Sequence, residues 1–428
     1  MAGIAPGLLF TVALLLFTTR LATPSRYIYD EVYHAYTAEQ YVQGNTDAYV
    51  WYTRAPRPGV AYMWNHPPAG VLLIAGGILL WGDTSYGWRF PSALFGALGI
   101  VVFYGLALGL TRHRGIALLA SGLLLLDGLY FVQARTGMLD TFGTVFMLSA
   151  LFAFHRYWTS PPRKVRAPLL WTGLFLGLAI ATKWNAAYAS ALIGLAACGR
   201  MVALAHAARR SPETGGGAAT GGHLLWIVTG LGAVPALVYL AAYIPFFLTG
   251  HDLSQFFELQ RQIYSYHSHL KATHHYQSLW WQWPLALRPV WYHVSYAGER
   301  IANIYAQGNP ILHVTFLPAV LWTSWSWWKA RDPALIVLLI GFFGQWLPWA
   351  LVPRIAFMYH FLPAVPFGCL AVAFGLSRLA QRGMAFRVLA IAYVAAVAIA
   401  FTFFYPILAA VPLTRHAFDL RMWLPGWR

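Results

Sequence analysis

Apolar residues recur along this chain in blocks of about 20, the length a helix needs to cross the hydrocarbon core of a bilayer. Eleven such blocks can be set out, at 4–21, 86–111, 115–133, 138–157, 168–182, 185–205, 223–248, 310–328, 333–351, 355–377 and 386–405. The pattern predicts an all-α polytopic membrane protein with about 11 transmembrane helices. Two polar-punctuated segments are too long to be simple connections, 23–85 and 249–309. Within the first, Asp30 to Tyr41 reads as a helix with Asp30 at its N-cap and Glu31 in its first turn. Ala69 to Trp81, after Asn65-His66-Pro67-Pro68, is too short to span and reads as an interfacial helix started by the prolines.

Charge orients these elements. Arg112, Arg114, Arg156, Arg163, Lys164, Arg166, Arg200, Arg209, Arg210, Lys329, Arg331, Arg378, Arg382 and Arg387 fall on one side. The three short loops opposite hold only Arg135, Lys183 and Arg354. Basic loops stay in the cytoplasm, so the N-terminus is expected inside, the C-terminus outside, and both long segments outside. Arg20 and Arg26, after the first span, disagree locally and are outvoted. The first apolar stretch lacks a basic leader and a small-residue cleavage site, and reads as an uncleaved span. The Gly-rich stretch within 206–222 reads as a flexible cytoplasmic linker. It lacks the Lys-Ser/Thr ending of a phosphate loop.

Composition excludes a soluble or disordered chain, since 59% of the 428 residues are hydrophobic, 10% are charged and the mean hydropathy is +0.55. The formal charge of +16 is carried by no basic run, so it points to topology and anionic membrane lipids and away from nucleic acid. Cys198 and Cys369 both lie in apolar segments, which argues against a disulfide framework or a thiolate metal site.

The carboxylates gather on the expected outer face, where ten of the 13 acidic residues map: Asp30, Glu31, Glu39, Asp47, Asp83, Asp140, Asp252, Glu258, Glu299 and Asp419. Arg135 and Asp140 bracket the turn between the third and fourth spans, and Lys183 ends the fifth. Charges at membrane depth are costly and mark substrate sites, or else snorkel to the interface. The histidines of Tyr266-His267-Ser268-His269 and His274-His275 suggest a metal cluster, but their spacing matches no zinc pattern, and surface or acceptor contact fits them better. Trp280, Trp281, Trp283 and Trp325 to Trp328 read as interfacial belts.

Taken in order, several motifs resemble one family. They are Asp30-Glu31 after the first span, His66-Pro67-Pro68, Trp88-Arg89-Phe90-Pro91-Ser92, and Arg135-Thr136-Gly137-Met138-Leu139-Asp140. Thr182-Lys183-Trp184, Gly308-Asn309-Pro310, and Arg354 through Tyr359-His360-Phe361-Leu362-Pro363 complete the set. Nearly the whole chain thereby resembles the protein O-mannosyltransferases and their bacterial relatives, GT39-like members of the GT-C class of polyprenol-phosphate-dependent membrane glycosyltransferases. The resemblance implies one integral-membrane GT-C domain over 1–428, in the plasma membrane of a bacterium. It implies a polyprenyl-phosphate mannose donor and Ser/Thr acceptors on exported polypeptides, met near the secretion machinery. It makes Asp30 the base of an inverting transfer, with Glu31 orienting it or its neighbours. Arg135, Lys183 and Arg354 become phosphate ligands, and His66, His360 and Asp140 further contacts to donor phosphate or sugar. No cofactor beyond the lipid-linked sugar is implied, and a divalent-cation requirement is left open.

Two departures stand out. Gly70 is followed by Val71 where the family usually carries Gly-Lys, and the segment 249–309 is too short to hold the large lumenal domain of eukaryotic members. Two other functions compete: a GT-C transferase acting on a lipid or cell-envelope glycan, and a non-enzymatic transporter or flippase. The absence of an internal repeat counts against the transporter.

Overall fold

A computed structural model describes residues 4–210 and 216–428. Each of the eleven apolar segments is helical over most of its length. They form α1 (Ile4–Thr18), α4 (Ser85–Thr111), α5 (Arg114–Leu125) with α6 (Gly128–Gln133), α7 (Leu139–Thr159), α8 (Arg166–Thr182) and α9 (Ala186–Arg210). They continue with α10 (Gly216–Val228), α11 (Val234–Ala242) and α12 (Ile244–Leu248), then α14 (Pro310–Lys329), α15 (Ala334–Trp346), α16 (Val365–Ala380) and α17 (Met384–Leu408). Among the described residues six helices are long and apolar enough to cross a membrane by themselves. Shorter apolar helices, α1, α5 and α8 among them, accompany these, and the chain is a multi-pass membrane protein. Of the expected linker 206–222, residues 206–210 continue α9 and 216–222 open α10, while 211–215 lie outside the described residues.

Local chemistry sets the boundaries. The Thr84 hydroxyl accepts from the Gly87 amide and starts α4, and Asn309, followed by Pro310, starts α14 by accepting from Ile311. The third apolar block is one segment by hydropathy, yet it breaks at Asp127. One oxygen of that buried carboxylate caps α6 by accepting from the Tyr130 amide at 2.9 Å. The other accepts from the Asn309 amide and His313 Nε2, both at 3.1 Å. A buried carboxylate demands several donors, and ending a helix supplies them. Gly173 of α8 and Gly230, between α10 and α11, let the two backbones touch: a Cβ on either would collide with the other segment's backbone.

The two long segments are more ordered than their composition suggests. The first forms α2 (Glu31–Val42) and α3 (Ala69–Trp81). α3 leaves Leu79 and Leu80 more than 70% exposed, as an interfacial helix should, whereas α2 is wedged into the protein with His34, Ala35, Tyr36, Thr37 and Ala38 all buried. The second forms α13 (Leu253–His269), opened by an Asp252/Gln255 capping box, and an antiparallel hairpin of β1 (Val290–Ala297) and β2 (Arg300–Ala306). A third short strand, β3 (Leu413–Thr414), joins β2 and is followed by α18 (Arg415–Asp419). Among the described residues this sheet is the departure from the all-helical expectation. Gly298, at φ +59°, makes its turn.

Both long segments and the C-terminal strand share one face. Arg26 donates to the Val294 carbonyl at 3.0 Å, Arg20 to that of Ala410 at 3.1 Å, and the Ser278 amide to Ala356 at 2.9 Å. Trp281, Trp325 and Trp328 are exposed, as belt residues would be, but Trp283 and Trp327 are core residues.

Candidate active site

The site grows from the turn after α1. Arg135 lies at the C-terminal end of that helix, where its Nη1 donates to the carbonyls of Leu16 at 3.1 Å and Phe17 at 3.0 Å, and also to Thr19. A helix end leaves such carbonyls unpaired. Nη1 of the guanidinium is therefore engaged at the α1 terminus, and Arg135 is not among the residues lining the cavity described below.

Ten residues on, Tyr29 adopts φ +47°, a left-handed conformation costing about 1–2 kcal/mol in a residue with a Cβ. Its ring stacks on Tyr292 of β1 at 4.3 Å and 11°. The next two residues are the paired carboxylates. Glu31 is fully buried and saturated: Arg89 Nε donates to Oε1 at 2.7 Å and Nη2 to Oε2 at 2.8 Å. The amides of Gly137 and Ile28 add donors at 2.8 and 3.0 Å. Arg89 spends its remaining N–H groups on the carbonyls of Leu21, Pro24 and Arg26, so all five of its donors are used. His34 secures the same turn through Nδ1, 3.1 Å from the Gly137 carbonyl.

Asp30 occupies the N-cap position of α2, but its side chain makes no capping bond. It is half-buried, and burial pushes its pKa from 3.8 up to about 7; nearby Lys183 pulls it down and Asp140 pushes it further up. Lys183, buried just past the end of α8, binds Asp140 in the first turn of α7, with Nζ 2.8 and 3.1 Å from the two carboxylate oxygens. The ammonium also sits 5.3 Å from the Tyr359 ring.

Beside this pair opens a mainly apolar cavity of about 950 Å³, lined by Lys183, His66, Tyr188, Tyr239, Trp349 and Arg354 among others. Leu240 and Leu351 on its wall are 43% and 87% exposed. Arg354 has no ion-pair or hydrogen-bond partner among the described residues, and burial holds its pKa below the usual arginine range. His66 lies in the wall with its Nδ1 unpartnered. Its pKa is held well below the usual histidine range, by burial first and then by Lys183 and neighbouring groups, Arg354 among them. His360 is not in the wall. It lies behind Trp349 at 4.1 Å, with Nδ1 3.0 Å from both the amide nitrogen and the carbonyl of Phe357.

The fold thus brings Asp30, Asp140, Lys183, Arg354 and His66 to one region, and places Glu31, Arg135 and His360 in supporting positions. Arg89, which anchors Glu31, was visible in the Trp88-Arg89-Phe90-Pro91 motif but not singled out. No group of three or more His, Cys, Asp or Glu side chains gathers to hold a metal ion among the described residues.

Asp30, its raised pKa moderated by Lys183, and the apolar cavity lined by Lys183 and Arg354 sit in a helical membrane bundle of the GT-C fold. The chain matches the solved S. cerevisiae Pmt1-Pmt2 complex bound to the sugar donor with a TM-score of 0.81, over 99% of this chain and 92% of that one, at 16% identity. It matches ArnT from Cupriavidus metallidurans bound to undecaprenyl phosphate with a TM-score of 0.58, over 97% and 75%, at 18% identity. Identities this low establish the fold.

The family follows from sequence. Residues 7–250 match the dolichyl-phosphate-mannose-protein mannosyltransferase family, and residues 252–427 match the C-terminal four-helix membrane region of protein O-mannosyltransferases. The chain belongs to this family, as its motifs implied. Similar proteins include the polyprenol-phosphate-mannose–protein mannosyltransferases of Mycobacterium tuberculosis (strain ATCC 25618 / H37Rv), 28% identical over 85% of this chain and 81% of that protein, and of Corynebacterium glutamicum, 26% identical over the same shares.

Proposed function

We propose that this chain transfers mannose from polyprenyl-phosphate mannose to Ser or Thr hydroxyls of exported polypeptides, at the outer face of a bacterial plasma membrane. Its N-terminus then lies in the cytoplasm and its C-terminus outside, and acceptors arrive near the secretion machinery. The observation that carries this reading is Asp30, a carboxylate that makes no capping bond, with a pKa near 7 moderated by Lys183, which lines the cavity.

In the proposed step the acceptor hydroxyl gives its proton to the Asp30 carboxylate as its oxygen bonds to the anomeric carbon. The bond from that carbon to the phosphate oxygen breaks, and its electron pair leaves with polyprenyl phosphate, inverting the anomeric centre. A base with a pKa near ambient pH suits such a transfer. Arg354, which has no carboxylate partner among the described residues, and Lys183 supply charge-assisted bonds to the phosphate as it gains charge. Glu31, with every lone pair engaged, is a positioning residue: its knot with Arg89 and Gly137 fixes the turn carrying Asp30. The apolar wall with Leu240 and Leu351 suits a prenyl chain entering from lipid.

The test offers the purified full-length protein radiolabelled polyprenyl-phosphate mannose, with Ser/Thr peptides and a lipid extract as competing acceptors, with and without chelator. Label on peptide is the expected result. Label on lipid alone would replace the acceptor, and no transfer despite donor binding would overturn the reading. Loss of label with chelator would establish a divalent-cation requirement.

A further inference from the structure

We infer that α13, in the second long outer segment, carries the sugar-recognition edge of the cavity, with Gln260 and His267 on that helix joining His66 to bind hydroxyls of the transferred hexose. This rests on the function proposed above and adds two residues to it.

Gln260 and His267 are seven positions apart, so they lie on one face of α13. Both line the cavity that contains Lys183 and Arg354. The helix is fixed by Phe256, Leu259 and Ile263, which pack with Tyr49, Tyr243 and Phe246. Its polar groups are set by specific bonds. The Tyr239 hydroxyl donates to Gln260 Oε1 at 2.6 Å, and Nε2 is a buried donor with the Tyr243 hydroxyl beside it but no bond of good geometry. His267 Nε2 lies 2.8 Å from the Asn65 carbonyl. A carbonyl can only accept, so Nε2 carries the hydrogen and Nδ1 is a bare acceptor, likewise buried without a partner. Its ring is 5.1 Å from that of His66, whose Nδ1 is a third orphan.

Burial, and then Arg354, hold the His267 pKa down to about 4, and His66 is lowered in the same direction. Both rings are therefore neutral at physiological pH and compete for no phosphate charge. The cavity divides its chemistry accordingly: cations at Lys183 and Arg354 for the anionic group, and on the α13 side neutral groups, the Gln260 amide donor, the His267 acceptor and the His66 imidazole. Sugar hydroxyls, each both donor and acceptor, can pair with such groups, whereas a prenyl chain offers them no hydrogen bond. A site built to hydrogen-bond a hydroxyl also rejects analogues lacking it.

The experiment measures binding of polyprenyl-phosphate mannose and of sugar-free polyprenyl phosphate to the full-length protein in nanodiscs, for wild type, His267→Ala and Gln260→Leu. Expected is a tenfold or greater loss of affinity for the mannosyl lipid in each variant, with sugar-free polyprenyl phosphate bound within about twofold of wild type. Unchanged sugar-free binding also certifies the fold, and Gln260→Leu, similar in size, carries the test if His267→Ala does not fold. Equal losses for both lipids, or no loss for either, would overturn the inference. So would a wild type that binds the two lipids equally well. Failure of the transfer assay with intact, variant-sensitive mannosyl binding would instead overturn the proposed reaction and leave the recognition edge standing.

Discussion

Asp30 and Glu31 are chain neighbours whose carboxylates occupy opposite worlds. Glu31 sits in a closed knot with no exposed surface and four incoming donors. Asp30, one position away, has no capping bond and lies within the electrostatic reach of Lys183 and Asp140. The difference teaches how one turn can be rigid and reactive together. The saturated carboxylate holds the backbone, and its unsatisfied neighbour keeps a proton affinity near neutrality because burial disfavours its charge while a nearby cation limits the shift.

Removing the reactive member should have the largest effect on chemistry. Asp30→Asn is expected to lower transfer by roughly 10²–10⁴-fold in the peptide assay while leaving the protein folded. A raised carboxylate pKa means that the folded state binds the proton more tightly than the unfolded one. Asp30 therefore costs stability as pH rises from about 4 through about 7, so Asn should raise the melting temperature at pH 8. Wild-type transfer by this variant would erase the distinction between the two carboxylates.

Breaking the knot should act through stability instead. Arg89→Ala strands the buried Glu31 charge and is expected to cost about 3–5 kcal/mol, read as lost thermal stability, with activity falling as folded protein falls. A folded, stable Arg89→Ala with selectively lost turnover would place Arg89 in the chemistry.

Lys183→Met sharpens the contrast further, since it removes a cation from the phosphate pocket and from Asp30 together. Turnover should fall about 30- to 1000-fold, on the order of 2–4 kcal/mol for a transition-state contact. What remains should titrate at higher pH, because Lys183 is the group that lowers the Asp30 pKa. A rate loss with no alkaline shift would separate Lys183 from Asp30.

The smallest effect on substrate is expected for Arg135→Ala. Its guanidinium serves carbonyls at the end of α1, so stability should fall by roughly 2 kcal/mol with donor affinity within about twofold. A large loss of donor affinity would restore the phosphate role its sequence position suggests.

How much of this was legible in the sequence depends on the range over which each signal acts. Bilayer-length apolar blocks are local, and they located the helices; the paired carboxylates after the first span and the His66-Pro67-Pro68 helix start are local too. The hairpin was also legible in its aromatic and β-branched run and the Gly298 turn, but an expectation of helix and loop hid it. What a short motif cannot reveal is which way a long side chain reaches. Arg135 ends on a helix terminus 118 residues earlier, Arg89 finds Glu31 across 58 residues, and His267 meets the Asn65 carbonyl across 202. His267 stood out in the sequence only as part of a doubtful metal cluster, and no spacing rule could have paired it with His66. Asp127, inside the third apolar block, ends a helix because its buried charge needs the donors gathered there.

The most direct test of the central claim is the pH dependence of kcat/KM for mannose transfer, with Asp30→Asn as control. The account predicts a rate that rises about tenfold per pH unit below about 7 and levels above it, as the Asp30 carboxyl loses its proton, and no such rise in the residual activity of the variant. A profile flat from pH 5 to 9, or the same rise in Asp30→Asn, would contradict it.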